Sequence, residues 1–285
     1  MAPAIPRCTR NFASIRRDAQ ASQMRRLRRE RQVGSMILVF YAFAREVAPF
    51  KKRAAKRSPL QAPGIRGFRC EVAGREMIVV VTGIGPKRAR EAARRAFDAF
   101  QQIEMVIGTG VVGALSRGLE PGDLVLPDRI LTAGDDGTHP VSSIEIAEPQ
   151  LREIRHALTA SGLKYATGSL LTAARAFTTA EKRRAKDQSG AIAVDMETAA
   201  LAAEAAARGL PFACVRAVLD TVDDEVFGAE LADEHGSVNP FRAAAYFVAN
   251  PRAAIWLPRM MRNLTISTRS LADALEAIAH ITVRY

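Results

Sequence analysis

The chain has 285 residues, of which 48% are hydrophobic and 25% charged, enough for one large domain or two smaller ones with a buried core. No apolar run approaches the roughly 18 to 20 residues that a membrane span requires, and the N-terminus lacks the apolar core of a secretory signal, so we expect a cytoplasmic protein. Three widely spaced cysteines form neither a disulfide framework nor a zinc pattern.

The net charge of +11 is concentrated near the N-terminus. Residues 1–35 contain nine arginines and two acidic residues, which leaves +4 on the remaining 250 residues. This composition predicts a disordered tail or a surface-binding arm, unless Met36 is the physiological start and the tail is a misassigned extension. A nucleic-acid-binding module is the alternative that this tail raises, but we expect no specific nucleic-acid partner because the body of the chain is only weakly basic.

From Met36 onward, apolar runs typical of strands alternate with alanine-rich helical stretches, which predicts a three-layer α/β/α fold with a central mixed sheet. The first half contains a strand MILVFYAF, a hairpin FRCEV–EMIVVVTG, a helix from Pro86 to about Phe100 and a buried strand IEMVIGTG. The second half contains GDLVLP, DRILTA, a helix near 148–161, a strand TGSLLTA, a basic helix near 180–188, the strand GAIAVD, a helix METAALAAEAAARG closed by Gly209, and the strand LPFACVRAVLD.

The pattern changes near residue 228. We therefore predict a catalytic domain over 36–228 and a C-terminal helical appendage over 229–285 that packs on the same domain. Its apolar stretches, interspersed with arginines, predict core or an oligomer interface, with a peripheral membrane contact as the alternative.

A glycine pattern follows the strand that ends near residue 107. Gly108, Gly110 and Gly113 form G-x-G-x-x-G, the spacing of a dinucleotide-binding loop. A dinucleotide site requires a long helix directly after the third glycine, whereas Gly118 and Pro121 leave room for barely one turn. The glycines therefore indicate a close approach of a different ligand to the backbone.

Three carboxylates stand at predicted strand ends: Glu46, Glu197 and Asp220. Each has an ordinary explanation, since the first turn of a helix favours an acid such as Glu197, and Asp220 precedes an acidic loop. In an α/β sheet, however, strand ends converge, and these acids accompany two glycine loops, TGIGP and GTGVVG.

Four motifs in this order, AREV, TGIG, GTGVVGAL and VDMET followed by VRAVLD, resemble the nucleoside phosphorylase and nucleosidase superfamily. Residues 36 to 225 carry the resemblance, which in its motifs is closest to the methylthioadenosine/S-adenosylhomocysteine nucleosidases. It implies cleavage of the N-glycosidic bond of a purine nucleoside, with adenine as the expected base. It also implies a homo-oligomer and no organic cofactor. A non-catalytic nucleoside sensor is the alternative function.

The resemblance also implies roles for individual residues. Glu197 would accept hydrogen bonds from the ribose hydroxyls while Met196 packs against the sugar. Asp220 would donate a proton to N7 of the leaving purine, and Glu46 would activate the attacking water. The resemblance further implies a base and ribose pocket lined by Thr82, Gly83, Thr109, Gly110, Val111, Gly113 and Phe177.

Water and phosphate both remain open as the nucleophile. Phosphate-dependent relatives often carry an arginine and a serine where this chain has Gly108 and Val111, so the candidate phosphate ligands are Arg45 and Lys87, with inorganic phosphate as the co-substrate in that case. The C-terminal segment resembles the tail of hopanoid-associated phosphorylases, which implies a lipid-linked adenosyl substrate such as adenosylhopane. No metal site is expected, because the four histidines are scattered: His139, His156, His235 and His280.

Overall fold

The computed structural model describes residues 36–225 and 251–281. The predictions for the tail over 1–35 and for the start of the appendage over 229–250 lie outside the described residues. Ten strands and six helices lie within these residues.

One mixed sheet organises the described chain, which confirms the predicted fold class. Its strands are β1 (Met36–Tyr41), β2 (Ala55–Pro59), β3 (Arg66–Val72), β4 (Arg75–Val81), β5 (Ile103–Ala114), β6 (Leu124–Ala133), β7 (Pro140–Glu145), β8 (Tyr165–Thr172), β9 (Ala193–Asp195) and β10 (Phe212–Asp220). The strand order is β10-β6-β8-β9-β5-β1-β4-β3-β2, and β7 pairs with β6. Because β10 also pairs with β5, five strands close into a ring, and β1, β4, β3 and β2 extend from it as an open sheet.

The ring of five strands closes through the long strand β5. It runs parallel to β1 on one side and to β10 on the other, and its last two residues pair antiparallel with β9. Because β1, β5 and β10 are parallel, their carboxyl ends lie at one edge of the sheet. The register places Phe40 beside Gly108 and Asp220 beside Gly113, so this edge collects the residues that the sequence motifs singled out.

The described residues form six helices: α1 (Ala48–Arg53), α2 (Pro86–Ala99), α3 (Glu148–Ala160), α4 (Thr179–Ser189), α5 (Thr198–Ala206) and α6 (Pro251–Ala279). Helix α2 begins at a proline, buries Ala89, Ala93 and Phe97, and packs against α5. Helix α6 buries Leu271 and Leu275 and packs against β10, α1 and α3. Among the described helices, none is both long enough and apolar enough to cross a bilayer.

One boundary differs from the sequence-based expectation. The runs GDLVLP and DRILTA form a single strand, β6, with a shift of register between Pro127 and Arg129. The predicted closure of α5 by Gly209 is confirmed: Gly209 is left-handed, its N–H donates to the carbonyl oxygen of Ala206 (3.0 Å), and the N–H of Leu210 donates to that of Ala205 (3.0 Å).

Candidate active site

Glu46 lies in the turn after β1 and is buried, with 3% of its surface exposed. Its Oε2 accepts hydrogen bonds from the backbone N–H groups of Ala42 (2.8 Å) and Phe43 (3.1 Å). Its Oε1 accepts one from the N–H of Val111 (2.9 Å), so the carboxylate joins the end of β1 to the glycine loop of β5. Burial raises the pKa of Glu46, and these backbone donors and the positive charge of Arg216 oppose that shift.

Gly110 makes room for this contact. Its φ of +137° lies in the region that favours glycine, and a Cβ at this position would lie 2.6 Å from both Glu46 Oε1 and Arg216 Nη1. A real Cβ does not come this close to another heavy atom. The glycine therefore allows a carboxylate and a guanidinium to meet against the backbone of β5.

Arg216 is a functional candidate that the sequence analysis missed. It lies in the middle of β10 and is fully buried. Its Nη1 donates to the carbonyl oxygen of Thr109 (2.7 Å), its Nη2 lies 2.7 Å from Asp195 Oδ2, and its Nε donates to Thr198 Oγ1 (3.1 Å). A charged residue at the centre of the apolar run FACVRAVLD was the available signal, because an arginine is almost never buried without a partner.

Glu197 lies next to this guanidinium network. It is the residue before the first turn of α5, not a member of that turn as predicted, and its side chain does not cap the helix. Instead, Glu197 Oε1 accepts a hydrogen bond from the N–H of Gly85 (2.7 Å) in the first glycine loop. Burial and the neighbouring Asp195 raise the pKa of Glu197 to about 8, while Arg216 acts in the opposite direction.

Asp220 stands at the end of β10, beside Gly113. A Cβ at Gly113 would lie 3.1 Å from Asp220 Oδ2, so a second glycine of the same loop gives the backbone close access to this acid. Burial raises the pKa of Asp220, and an ion pair between its Oδ2 and the buried Lys182 Nζ opposes that shift. Lys182 was not predicted from the sequence.

The two glycines mark the two ends of the site. Glu46 and Arg216 both lie against Gly110, and Asp220 lies against Gly113. The two glycines are three residues apart, about 10 Å along β5. Each end of the site therefore has a buried acid beside a glycine of the same strand.

The predicted pocket residues lie in different environments. The Thr82 hydroxyl donates to the carbonyl oxygen of Gly83 (2.7 Å), so it is already used by the backbone. The buried Thr109 hydroxyl has no hydrogen-bond partner among the described residues. Phe177 is buried in a small apolar cluster, and Met196 is half-buried.

The two predicted phosphate ligands are both exposed. Arg45 is exposed, and its Nη1 lies 3.8 Å from the sulfur of Met261 in α6. Lys87 is exposed in the first turn of α2. The buried cation beside Glu46 in the structure is Arg216. Within 36–225 and 251–281, no group of three or more His, Cys, Asp or Glu residues could hold a metal ion.

Three buried carboxyl groups, Glu46, Glu197 and Asp220, thus lie at the strand ends of this mixed sheet, close to its two glycine loops. Residues 36–249 match the family model of the phosphorylase superfamily, and the chain belongs to this superfamily.

Known proteins of this superfamily resemble the chain over most of its length. A 5′-methylthioadenosine/S-adenosylhomocysteine nucleosidase of Staphylococcus aureus is 24% identical over 203 residues, which cover 67% of this chain and 88% of the relative. The nucleosidase structure from Neisseria meningitidis, in complex with methylthio-immucillin-A, has a TM-score of 0.65 at 19% identity and covers 86% of this chain and 98% of its own. Futalosine hydrolase of Helicobacter pylori has a TM-score of 0.65 at 18% identity, with 86% and 97% covered. At these identities the structural likeness concerns the fold.

Proposed function

We propose that this enzyme hydrolyses the N-glycosidic bond of a 5′-substituted adenine nucleoside, with water as the nucleophile. One observation carries the proposal: two buried carboxyl groups, Glu46 and Asp220, lie against two glycines of the same loop, Gly110 and Gly113. The nucleosidase relatives support adenine as the base and a 5′-thio group as the substituent.

The reaction divides between the two ends. Glu46 accepts a proton from water as the water oxygen bonds to the anomeric carbon, and the bond from that carbon to the purine breaks with its electron pair on the purine. Asp220 supplies a proton to N7, so the purine leaves neutral. The raised pKa of the buried Asp220 favours the protonated form that such a donor needs.

Glu197 binds the sugar in this proposal. Its Oε1 is held by the N–H of Gly85, and the ribose hydroxyls donate to the carboxylate. Burial and Asp195 raise the pKa of Glu197 to about 8 and Arg216 opposes this rise, so the ionised form that accepts from two hydroxyl donors becomes more populated as the pH approaches 8. Met196 packs against the sugar, and Phe177 contributes to the wall on the side of the base.

The charged groups around Arg216 favour water over phosphate as the nucleophile. Glu46, Asp195 and Glu197 lie around a single guanidinium, that of Arg216, and Arg45 and Lys87 are exposed. A phosphate dianion would therefore enter a cluster that already carries more acidic than basic groups. A lipid-linked 5′ group such as that of adenosylhopane, a homo-oligomer and a membrane contact stay predictions from the sequence.

The test measures adenine release by the full-length chain from adenosine, 5′-methylthioadenosine and a 5′-alkyl adenosine, each with and without phosphate. We expect phosphate-independent release with a free sugar as product, and the fastest turnover with methylthioadenosine. Phosphate-dependent release with a ribose 1-phosphate product would overturn hydrolysis. Fastest turnover of the 5′-alkyl adenosine would favour the lipid-linked substrate.

Two variants separate an enzyme from a sensor. Asp220→Asn keeps the size of the side chain but cannot donate an acidic proton, so we expect adenine release to fall at least about 100-fold while the nucleoside still binds. Glu46→Gln should lose turnover similarly. If wild-type protein binds adenosine but releases no adenine from any of the three nucleosides, the sensor alternative is correct.

A further inference from the structure

A lysine is buried directly behind the proposed purine-protonating acid. Lys182 lies in α4, whose other basic residues include the exposed Arg183 and Arg184, yet only 1% of its own surface is accessible. A capping box formed by Thr178 and Glu181 fixes the first turn of α4 and therefore the direction in which the helix presents Lys182.

The ammonium group of Lys182 has three partners at the end of β10. It pairs with Asp220 Oδ2 and donates to the carbonyl oxygens of Thr221 (2.7 Å) and Asp224 (2.9 Å). These contacts use all three donors of a lysine ammonium. The same charged group thus binds the acid and the turn that follows it.

The turn that follows β10, residues 221–224, also contacts α6. Asp224 Oδ2 accepts a hydrogen bond from the N–H of Thr221 (2.9 Å), and its Oδ1 lies 2.9 Å from Arg259 Nη2 in α6. The Arg259 guanidinium lies 5.2 Å from the centre of the Trp256 ring. The turn is therefore held between α4 and α6, and Lys182 binds carbonyl oxygens whose positions are already determined.

Stability alone gives a weak reason for this arrangement. Replacing a buried ion pair by apolar side chains of similar volume is often neutral or stabilising, because two charges lose their hydration. The pair is nevertheless placed on a carboxyl group in the site, beside Gly113. A role in the reaction accounts for this position.

We propose that Lys182 is a positioning residue for glycosidic cleavage, which holds Oδ2 of Asp220 so that Oδ1 is directed at N7 of the purine. The inference rests on the proposed function, because it assigns Asp220 the role of the acid. Lys182 acts through Asp220 and does not touch the substrate.

Two charged groups act on Asp220: Lys182 from α4, and Asp224 from the turn that follows β10. Lys182 lowers the pKa of the acid, whereas burial and Asp224 raise it. Without the ammonium charge the pKa of Asp220 would rise further, and the protonated form would persist to higher pH. The alkaline limb of the rate profile, where a general acid loses its proton, should then move upward.

The test compares full-length wild type with Lys182→Met, an uncharged side chain of similar length. Lys186→Met is the matched control, since Lys186 lies one turn later on the same helix and donates to the carbonyl oxygen of Gly190 (3.1 Å). The substrates are 5′-methylthioadenosine and 4-nitrophenyl riboside, whose phenolate leaves without a proton from Asp220. Both kcat and KM are measured as functions of pH.

We expect Lys182→Met to lower kcat for methylthioadenosine about 10- to 100-fold, with KM within about threefold and the alkaline limb at higher pH. Release of nitrophenolate should stay within about threefold of wild type for this variant, because the phenolate leaves without a proton from Asp220 and the change does not affect the nucleophile. Lys186→Met should match wild type on both substrates.

Each other outcome has a definite meaning. Wild type that releases no adenine overturns the proposed function and this inference together. Active wild type with Lys182→Met equal to Lys186→Met overturns the inference alone, as does an equal loss on both substrates, which marks a structural role. If Lys182→Met does not fold, Lys182→Gln, which keeps a donor to Asp220, replaces it. If neither variant folds while Asp220→Asn does, Lys182 serves folding and the inference is wrong.

Discussion

The two ends of the candidate site hold their carboxyl groups in different ways. At the Glu46 end, backbone N–H groups of Ala42, Phe43 and Val111 bind the carboxylate. At the Asp220 end, the ammonium group of a single side chain, Lys182, binds it. A carboxylate held by the backbone keeps its place as long as the strands keep their register, whereas one held by a side chain depends on that residue. Backbone changes should therefore damage the first end most, and single side-chain changes the second.

The largest expected effect is the difference in kcat/KM between alanine substitutions at Gly110 and at Gly113. In Gly110→Ala, the new Cβ would clash with Glu46 Oε1 and Arg216 Nη1 at 2.6 Å and would also be strained at a φ of +137°, so we expect kcat/KM to fall at least about 100-fold. In Gly113→Ala the closest contact is 3.1 Å to Asp220 Oδ2, and a loss of at most about tenfold is expected. Steady-state kinetics on methylthioadenosine measure both, and equal losses would contradict the comparison.

Removal of the buried guanidinium tests how the charges at the Glu46 end are balanced. In Arg216→Met, Asp195 loses its ion-pair partner and Glu46 loses a neighbouring positive charge. We expect the free energy of unfolding to fall by about 3 to 5 kcal/mol, the cost of leaving a buried charge unpaired. Urea denaturation measures the change, with the exposed Arg184→Met as control. A loss no greater than that of the control would show that these acids do not depend on Arg216.

The pKa of Glu197 predicts how stability depends on pH. Because the folded state raises this pKa from 4.5 to about 8, it binds the proton more tightly than the unfolded chain does. The stabilisation from this group is complete below pH 4.5 and is lost as the pH rises to about 8. The glutamine of Glu197→Gln still offers an oxygen to the N–H of Gly85 and does not titrate.

Urea denaturation at several pH values from 5 to 8 compares this variant with wild type. The decline in unfolding free energy should be smaller in Glu197→Gln, by about 1 to 3 kcal/mol across this range. Parallel curves would show that the pKa of Glu197 is not raised in the folded protein.

The smallest effect is expected at the exposed basic residues. Arg45→Ala and Lys87→Ala should change adenine release by less than about twofold, with or without phosphate, because solvated side chains at the surface contribute little to a buried site. A loss specific to reactions that contain phosphate would return these residues to the role predicted from the sequence and would contradict hydrolysis.

Much of the fold follows from local pattern. Continuous apolar runs such as MILVFY and EMIVVV are typical of buried parallel strands, and Pro86 marks the start of a helix. The closure of five strands into a ring has no such signal, because the pairing of β10 with both β5 and β6 joins segments far apart in the chain. Glu46 and Val111 are 65 residues apart, and their hydrogen bond depends on the parallel pairing of β1 with β5.

The sequence by itself determined the alternation of strands and helices, the order of the glycine loops, and the acids Glu46, Glu197 and Asp220 as candidates, since residue type and local spacing carry this information. Only the tertiary structure decided which cations meet these acids. Arg216 and Lys182 are buried while Arg45 and Lys87 are exposed. The charge of a side chain is a property of one residue, but its burial and its partner depend on the register of β5 and β10 and on the packing of α4 against the turn after β10.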